Sequence, residues 1–244
     1  MVKLDPVNEQ ARALWRGVLD LATELPPRDW TLVGGLMVQL HTYRYGQITV
    51  RPTEDVDVLG DSRVRPESVT ELIARKLVEL GFEAAPPTGL HKPGLVYRFC
   101  HGDQVVDVLG PDGLRHTAKT LGNSETIEVK GGTQALKRTE TVIVELDGRS
   151  ARLRCPNLLG AVLLKARAVK ARDKDEDRSD LALLLSCVED PIAMRDELAG
   201  EEPQWLRAAA KRLDFDGPDL RSTLPMRQLT RARQAYELLS ARQP

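Results

Sequence analysis

The chain has 244 residues with a formal net charge of −1, of which 41% are hydrophobic and 29% charged, a length that suits one large domain or two modest ones with a real core. The near-neutral balance excludes a polybasic nucleic-acid-coating protein, although it leaves room for a local basic face. Cys100, Cys155 and Cys187 are widely spaced and form no metal-type pair, which implies thiols in a reducing, cytoplasmic setting; Asp5, Glu9 and Lys165 interrupt the apolar runs, so neither a signal peptide nor a membrane span is expected.

Apolar positions Ala11, Leu14, Val18, Leu21, Ala22 and Leu25 follow a helical period that ends at Pro26-Pro27. A short apolar strand, Trp30 to Val33, leads into the pair Gly34-Gly35 and then a helix to about Tyr43. A polar loop carrying Arg44 and Arg51 leads on to a strand that ends at Leu59. Pro66 and the series Val69, Leu72, Ile73, Leu77 and Leu80 predict an amphipathic helix ending at Gly81. Leu95–Cys100 and Gln104–Leu109 read as strands joined through His101-Gly102-Asp103. Strands at Thr126–Val129, Thr141–Val144 and Ala151–Arg154, separated by turns at Gly131-Gly132 and Asp147-Gly148, read as an antiparallel extension of the same sheet. After Pro156 the periodicity is helical, from Leu158 to Val169, from Asp177 to Val188, and in weaker segments at Asp190–Leu198, Trp205–Leu213 and Pro225–Ala241. The expected architecture is therefore α/β (α+β), a mixed twisted sheet flanked by helices and then a C-terminal helical bundle. The boundary at Cys155-Pro156 separates residues 1–155 from a helical domain of residues 156–244.

The chemistry concentrates in Arg51-Pro52-Thr53-Glu54-Asp55-Val56-Asp57-Val58-Leu59. Side chains alternate faces along a strand, so Asp55 and Asp57 project together while Val56 and Val58 pack behind them. The turn at Gly34-Gly35 bares backbone amides that can hold phosphate oxygens. A third carboxylate, Asp107, lies among Val105, Val106, Val108 and Leu109, where an ionised group needs a compensating partner. Asp103 is the other candidate for that role, but it falls in the turn rather than the strand. Three carboxylates holding two Mg²⁺ ions, or Mn²⁺ in their place, could orient a triphosphate and stabilise a leaving pyrophosphate.

These motifs resemble the nucleotidyltransferase superfamily, and within it the AbiEii-type toxins and their MenT relatives. The run from Arg51 through Thr53 to Asp55-Val56-Asp57 looks like that group's second motif. Leu163-Leu164-Lys165-Ala166-Arg167-Ala168 is similar to its lysine-bearing helix, and Arg172 through Asp177 and Asp180 to Leu181 to its closing motif. The resemblance spans about Val33 to Leu185, and departs from many members in having Gly35 where they carry serine. It implies catalytic and metal-binding roles for Asp55, Asp57 and Asp107. It assigns Lys165 to the triphosphate or to the site's charge balance, and nucleotide-binding roles to Gly34, Gly35, Arg51, Thr53, Asp177 and Asp180. On physical grounds Lys165 interrupts an apolar helix face, where an ammonium needs an anion or a cleft. Asp177 and Asp180 share a face at a helix start, where Asp177 could also serve as an N-cap.

The activity implied is metal-dependent transfer of a nucleoside monophosphate from a nucleoside triphosphate to an acceptor hydroxyl. By resemblance the acceptor is a tRNA 3′ end and the protein the toxin of a toxin-antitoxin or phage-defence pair with a cognate antitoxin. Arg207, Lys211, Arg212, Arg221, Arg227, Arg231 and Arg233 bias the last helices toward a phosphate backbone. Two other readings remain open: transfer to a small acceptor such as an aminoglycoside, and a catalytically silent nucleotide-binding module.

Overall fold

The computed structural model describes residues 1–47, 52–61, 69–85, 94–172 and 174–241; Arg51 and Pro66, both singled out above, lie outside them. The chain divides into two compact units, Met1–Met37 with Thr53–Pro156, and Val38–Pro52 with Asn157–Pro244.

The first unit contains β1 (Val2–Lys3), α1 (Glu9–Glu24), β2 (Trp30–Val33) and the start of α2 (Gly34–Arg44). It continues with β3 (Val56–Gly60), α3 (Val69–Glu79), β4 (Glu83–Ala84), β5 (Arg98–His101) and β6 (Gln104–Pro111). It closes with β7 (Ile127–Val129), α4 (Gly132–Lys137), β8 (Thr139–Leu146) and β9 (Arg149–Pro156). Helix α1 starts where the Asn8 side chain accepts from the Ala11 amide at 2.8 Å. Its face of Ala11, Leu14, Trp15, Val18, Leu19 and Leu21 is buried, and it packs on β6 and β9. Arg16, on its polar face, reaches Asp147 in the β8–β9 turn at 2.8 Å.

The main sheet is mixed, with the order β2-β3-β6-β5-β4 and β7 beside β6. Strands β3 and β6 are parallel, whereas β2 and β5 run antiparallel to β3 and β6 respectively. Helix α3 packs against β3 and β6. This is the mixed α/β architecture expected from the sequence, with two differences in how the strands are shared out. Strand β7 joins the main sheet in parallel, and β8 and β9 pair antiparallel in a separate sheet of order β1-β8-β9. The reason is that Gly131-Gly132 is not a hairpin turn. Gly131, at φ +86°, is the N-cap of α4, and Asp112 accepts the Gly131 and Thr133 amides at 2.7 and 3.0 Å. A carboxylate nineteen positions upstream thus stabilises a helix start where local sequence suggests a turn.

The second unit consists of the later part of α2, the segment to Pro52, and α5 (Leu158–Arg172), α6 (Asp175–Ser186), α7 (Pro191–Asp196), α8 (Glu202–Ala210), α9 (Pro218–Thr223) and α10 (Met226–Ser240). Helix α6 lies against α5 and α10, and α8 against both α5 and α10. The buried Tyr236 hydroxyl donates to the Leu206 carbonyl at 2.7 Å, tying α10 to α8, while Arg167 stacks over Trp205 at 4.7 Å. Among the described residues no helix is long and apolar enough to cross a membrane.

Candidate functional site

The glycine turn and the aspartate strand meet in the first unit. Strand β2 ends at Val33, which is the register partner of Asp57 on β3. Gly34 follows at once, with φ +67°, and begins α2. A Cβ built on Gly34 would lie 1.7 Å from Asp57 Oδ2 and 2.5 Å from its Cγ. The Asp57 carboxylate therefore occupies the space that any side chain at position 34 would need, and the backbone conformation independently favours glycine. Gly35 is buried in the same first turn of α2.

The next strand supplies the third carboxylate. Asp57 is the register partner of Asp107 on the parallel strand β6, and Asp107 in turn faces Arg98 on β5. Asp57, Asp107 and Arg98 thus form one row across three adjacent strands, with side chains on a common face. Arg98 Nε donates to Asp107 Oδ1 at 2.8 Å and its Nη2 to Asp107 Oδ2 at 2.8 Å; the same Nη2 reaches Asp55 Oδ2 at 2.9 Å. The buried Thr53 hydroxyl lies 3.4 Å from the other Asp55 oxygen. Burial raises the Asp107 carboxyl above its ordinary value, and the Arg98 hydrogen bond and charge oppose that rise. The Arg98 guanidinium is raised in turn, first by its hydrogen bond to Asp107. Asp103 is exposed in the turn between β5 and β6, well placed for solvent rather than for this row.

Arg98 was not among the residues that the sequence singled out. Its position was nonetheless legible, because a turn at Gly102-Asp103 pairs His101 with Gln104, and counting back three residues on each strand sets Arg98 opposite Asp107. Its guanidinium stands among the expected carboxylates. Both oxygens of Asp107 are engaged by the guanidinium, and among the described residues no three His, Cys, Asp or Glu side chains converge as a metal-ligand group. Asp55 and Asp57 have the donor chemistry for a hard divalent cation, and Asp107 accepts both of its hydrogen bonds from Arg98.

The second unit carries the other cluster. Lys165 on α5 is 7% exposed, and its Nζ lies 2.7 Å from Asp180 Oδ2 and 3.5 Å from Asp177 Oδ1, both on α6. Arg172 closes the group from the end of α5, with Nε and Nη2 on the two Asp177 oxygens at 3.0 and 2.7 Å. The ammonium that interrupts the apolar helix is thus compensated by two buried carboxylates. Helix α6 begins earlier than its periodicity suggested, with Lys174 at the N-cap, so Asp177 is an ion-pair member in the first turn and not the cap.

Of the late basic residues, Arg212 donates to the Val169 carbonyl at 2.8 Å, and Arg221 and Arg233 both pair with Asp216, at 3.0 and 2.7 Å. Lys211 and Arg227 are exposed.

No protein-family model and no curated protein matches the chain. Among solved structures it is similar to an antigenic nucleotidyltransferase-like protein from Paracoccidioides brasiliensis, at 18% identity over 89% of this chain and 93% of that chain, with a TM-score of 0.45. A likeness of that size carries no argument about activity, and the functional reading rests on the residues described above.

Proposed function

We propose that the chain is a nucleotidyltransferase that moves a nucleoside monophosphate from a nucleoside triphosphate to an acceptor hydroxyl. The observation that carries this reading is the contact between the Gly34 turn and Asp57. A side-chain-free helix start, the natural place for phosphate oxygens, is packed directly against a carboxylate suited to the metal that accompanies them.

Asp55 and Asp57 would hold a divalent ion, Mg²⁺ or Mn²⁺, whose chemistry when bound is to orient phosphate oxygens and offset their charge. Gly34 and Gly35 would present amides to the triphosphate. Thr53 and Arg98 would hold the Asp55 carboxylate in place, as their contacts with it suggest. Lys165 and Arg172 balance Asp177 and Asp180 in one group on α5 and α6, which supports a role in ordering the helical unit.

For the acceptor we propose RNA, with a tRNA 3′ end as the target and the protein as a toxin of a toxin-antitoxin or phage-defence pair. This finer reading rests on the motif resemblance of Arg51 to Asp57, Lys165 and the run ending at Asp180, together with exposed Lys211 and Arg227. The experiment is incubation of the full chain with Mg²⁺, total tRNA and each α-labelled nucleoside triphosphate in turn, alongside Asp57→Asn. Label on tRNA with the native chain alone is the expected result. Label transferred onto an aminoglycoside supplied in place of tRNA would redirect the acceptor. Labelling that survives Asp57→Asn would sink the assignment of that carboxylate.

A further inference from the structure

Ionised carboxylates at Asp57 and Asp107 on one sheet face, with Asp55 in the bend just ahead of β3, repel one another, and the low-dielectric surroundings of Asp107 make that repulsion expensive unless a cation stands among them. In this chain one such cation is covalently built in. Arg98 meets Asp107 through two nitrogens, the fork geometry in which a guanidinium is matched to a carboxylate, and extends the same Nη2 to Asp55. An arginine stays charged across the whole working pH range, so this is a permanent charge rather than an adjustable one.

We propose that Arg98 takes the place of a second metal ion, so that the site binds a single divalent cation on Asp55 and Asp57. This rests on the nucleotidyltransferase reading. Three carboxylates against one guanidinium leave two negative charges, the amount that one divalent ion neutralises. The row Asp57, Asp107, Arg98 explains how the sheet enforces the arrangement. Asp107 is the middle member, flanked by Asp57 on β3 and by Arg98 on β5, and each of its oxygens accepts one hydrogen bond from the arginine. A cation that drew a ligand from Asp107 would compete with the charge of Arg98 and its two charge-assisted hydrogen bonds for that carboxylate. Arg98 is thus a positioning residue. It acts through Asp107, which it keeps out of the metal's coordination, and through Asp55, whose carboxylate it aims together with Thr53.

The test counts Mn²⁺ bound to the full-length chain by equilibrium dialysis with electron paramagnetic resonance of the free ion, using the metal alone. The native chain is expected to bind about one ion, and Arg98→Met about two, because Asp107 is then released as a hard oxygen ligand. Two ions on the native chain overturn the proposal, as does a count that Arg98→Met leaves unchanged. No bound Mn²⁺ on the native chain is a different failure, since it removes the nucleotidyltransferase reading on which the proposal stands. Circular dichroism reports whether Arg98→Met folds. If it does not, the double variant Arg98→Met/Asp107→Asn decides, because it deletes cation and carboxylate together. Retention of about one ion supports the proposal, whereas loss of that ion identifies Asp107 as a metal ligand and overturns it.

Discussion

Gly34 and Asp57 share one space: the Asp57 Oδ2 atom stands 1.7 Å from where a Cβ of residue 34 would be. Sequence separates these residues by a helix and a loop, and the antiparallel pairing of β2 with β3 brings them together. Gly34→Ala should therefore fail twice. The positive φ costs an L-residue about 1–2 kcal/mol, and the new methyl displaces the carboxylate. The expected outcome is a lower melting temperature together with loss of Mn²⁺ binding and of labelling. A Gly34→Ala chain that binds Mn²⁺ as the native chain does would show that Asp57 does not hold the ion.

Lys165 is a stability residue as well as a site candidate. Its ammonium and the Asp180 carboxylate are both buried, at 7% and 3% side-chain exposure, and 2.7 Å apart. Removing one member of such a pair strands the other and costs about 3–5 kcal/mol. Lys165→Ala is expected to lower the free energy of unfolding, measured by urea titration, by that amount, with Asp180→Asn close behind, since Asp177 and Arg172 still satisfy part of the cluster. A variant with native stability would show that the pair is not formed in solution.

The alkaline limb of stability has an identifiable origin. Burial raises the Tyr236 phenol from 10.0 to about 12 and the Cys187 thiol from 9.0 to about 12. Both acids release their protons more readily in the unfolded chain. Their contribution is complete below the unfolded values, near pH 9 and 10, and is lost as pH rises through about 12. Urea midpoints measured from pH 8 to 11 should fall, and the fall should be shallower in Tyr236→Phe. That variant also loses the hydrogen bond to Leu206, at about 1 kcal/mol at neutral pH. A slope that Tyr236→Phe leaves untouched would remove Tyr236 as a source.

If RNA is the acceptor, its backbone should be met by the exposed basic residues and not by those already paired within the helical unit. Lys211→Ser and Arg227→Ser are expected to weaken tRNA binding and each to reduce the salt slope of the binding constant by about 1. Arg221→Ser, whose guanidinium is on Asp216, should change it less. Equal slopes in all three variants would exclude this surface as the backbone contact.

Features governed by local spacing were readable in the sequence. The apolar stripe of α1, the strand positions of Asp57 and Asp107 and the anomalous Lys165 all follow from periods of a few residues, whereas Asp55 sits in the bend just ahead of β3. The partners of those residues were not readable in the same way. That Lys165 meets Asp180, and that the Gly34 turn closes over Asp57, depend on which helices and strands lie side by side. The pair Gly131-Gly132 has the local look of a hairpin turn, yet its helix start is stabilised by Asp112, and β8 and β9 form a separate sheet because periodicity identifies a strand without naming its neighbours. Arg98 lies between these cases. The hairpin through Gly102 contained its register with Asp107, but an arginine on a half-exposed strand has no local mark of importance until the carboxylates across the sheet are in view. Short-range periodicity thus determined the elements and the carboxylates, whereas non-local strand pairing decided which charges meet and so what the site can hold.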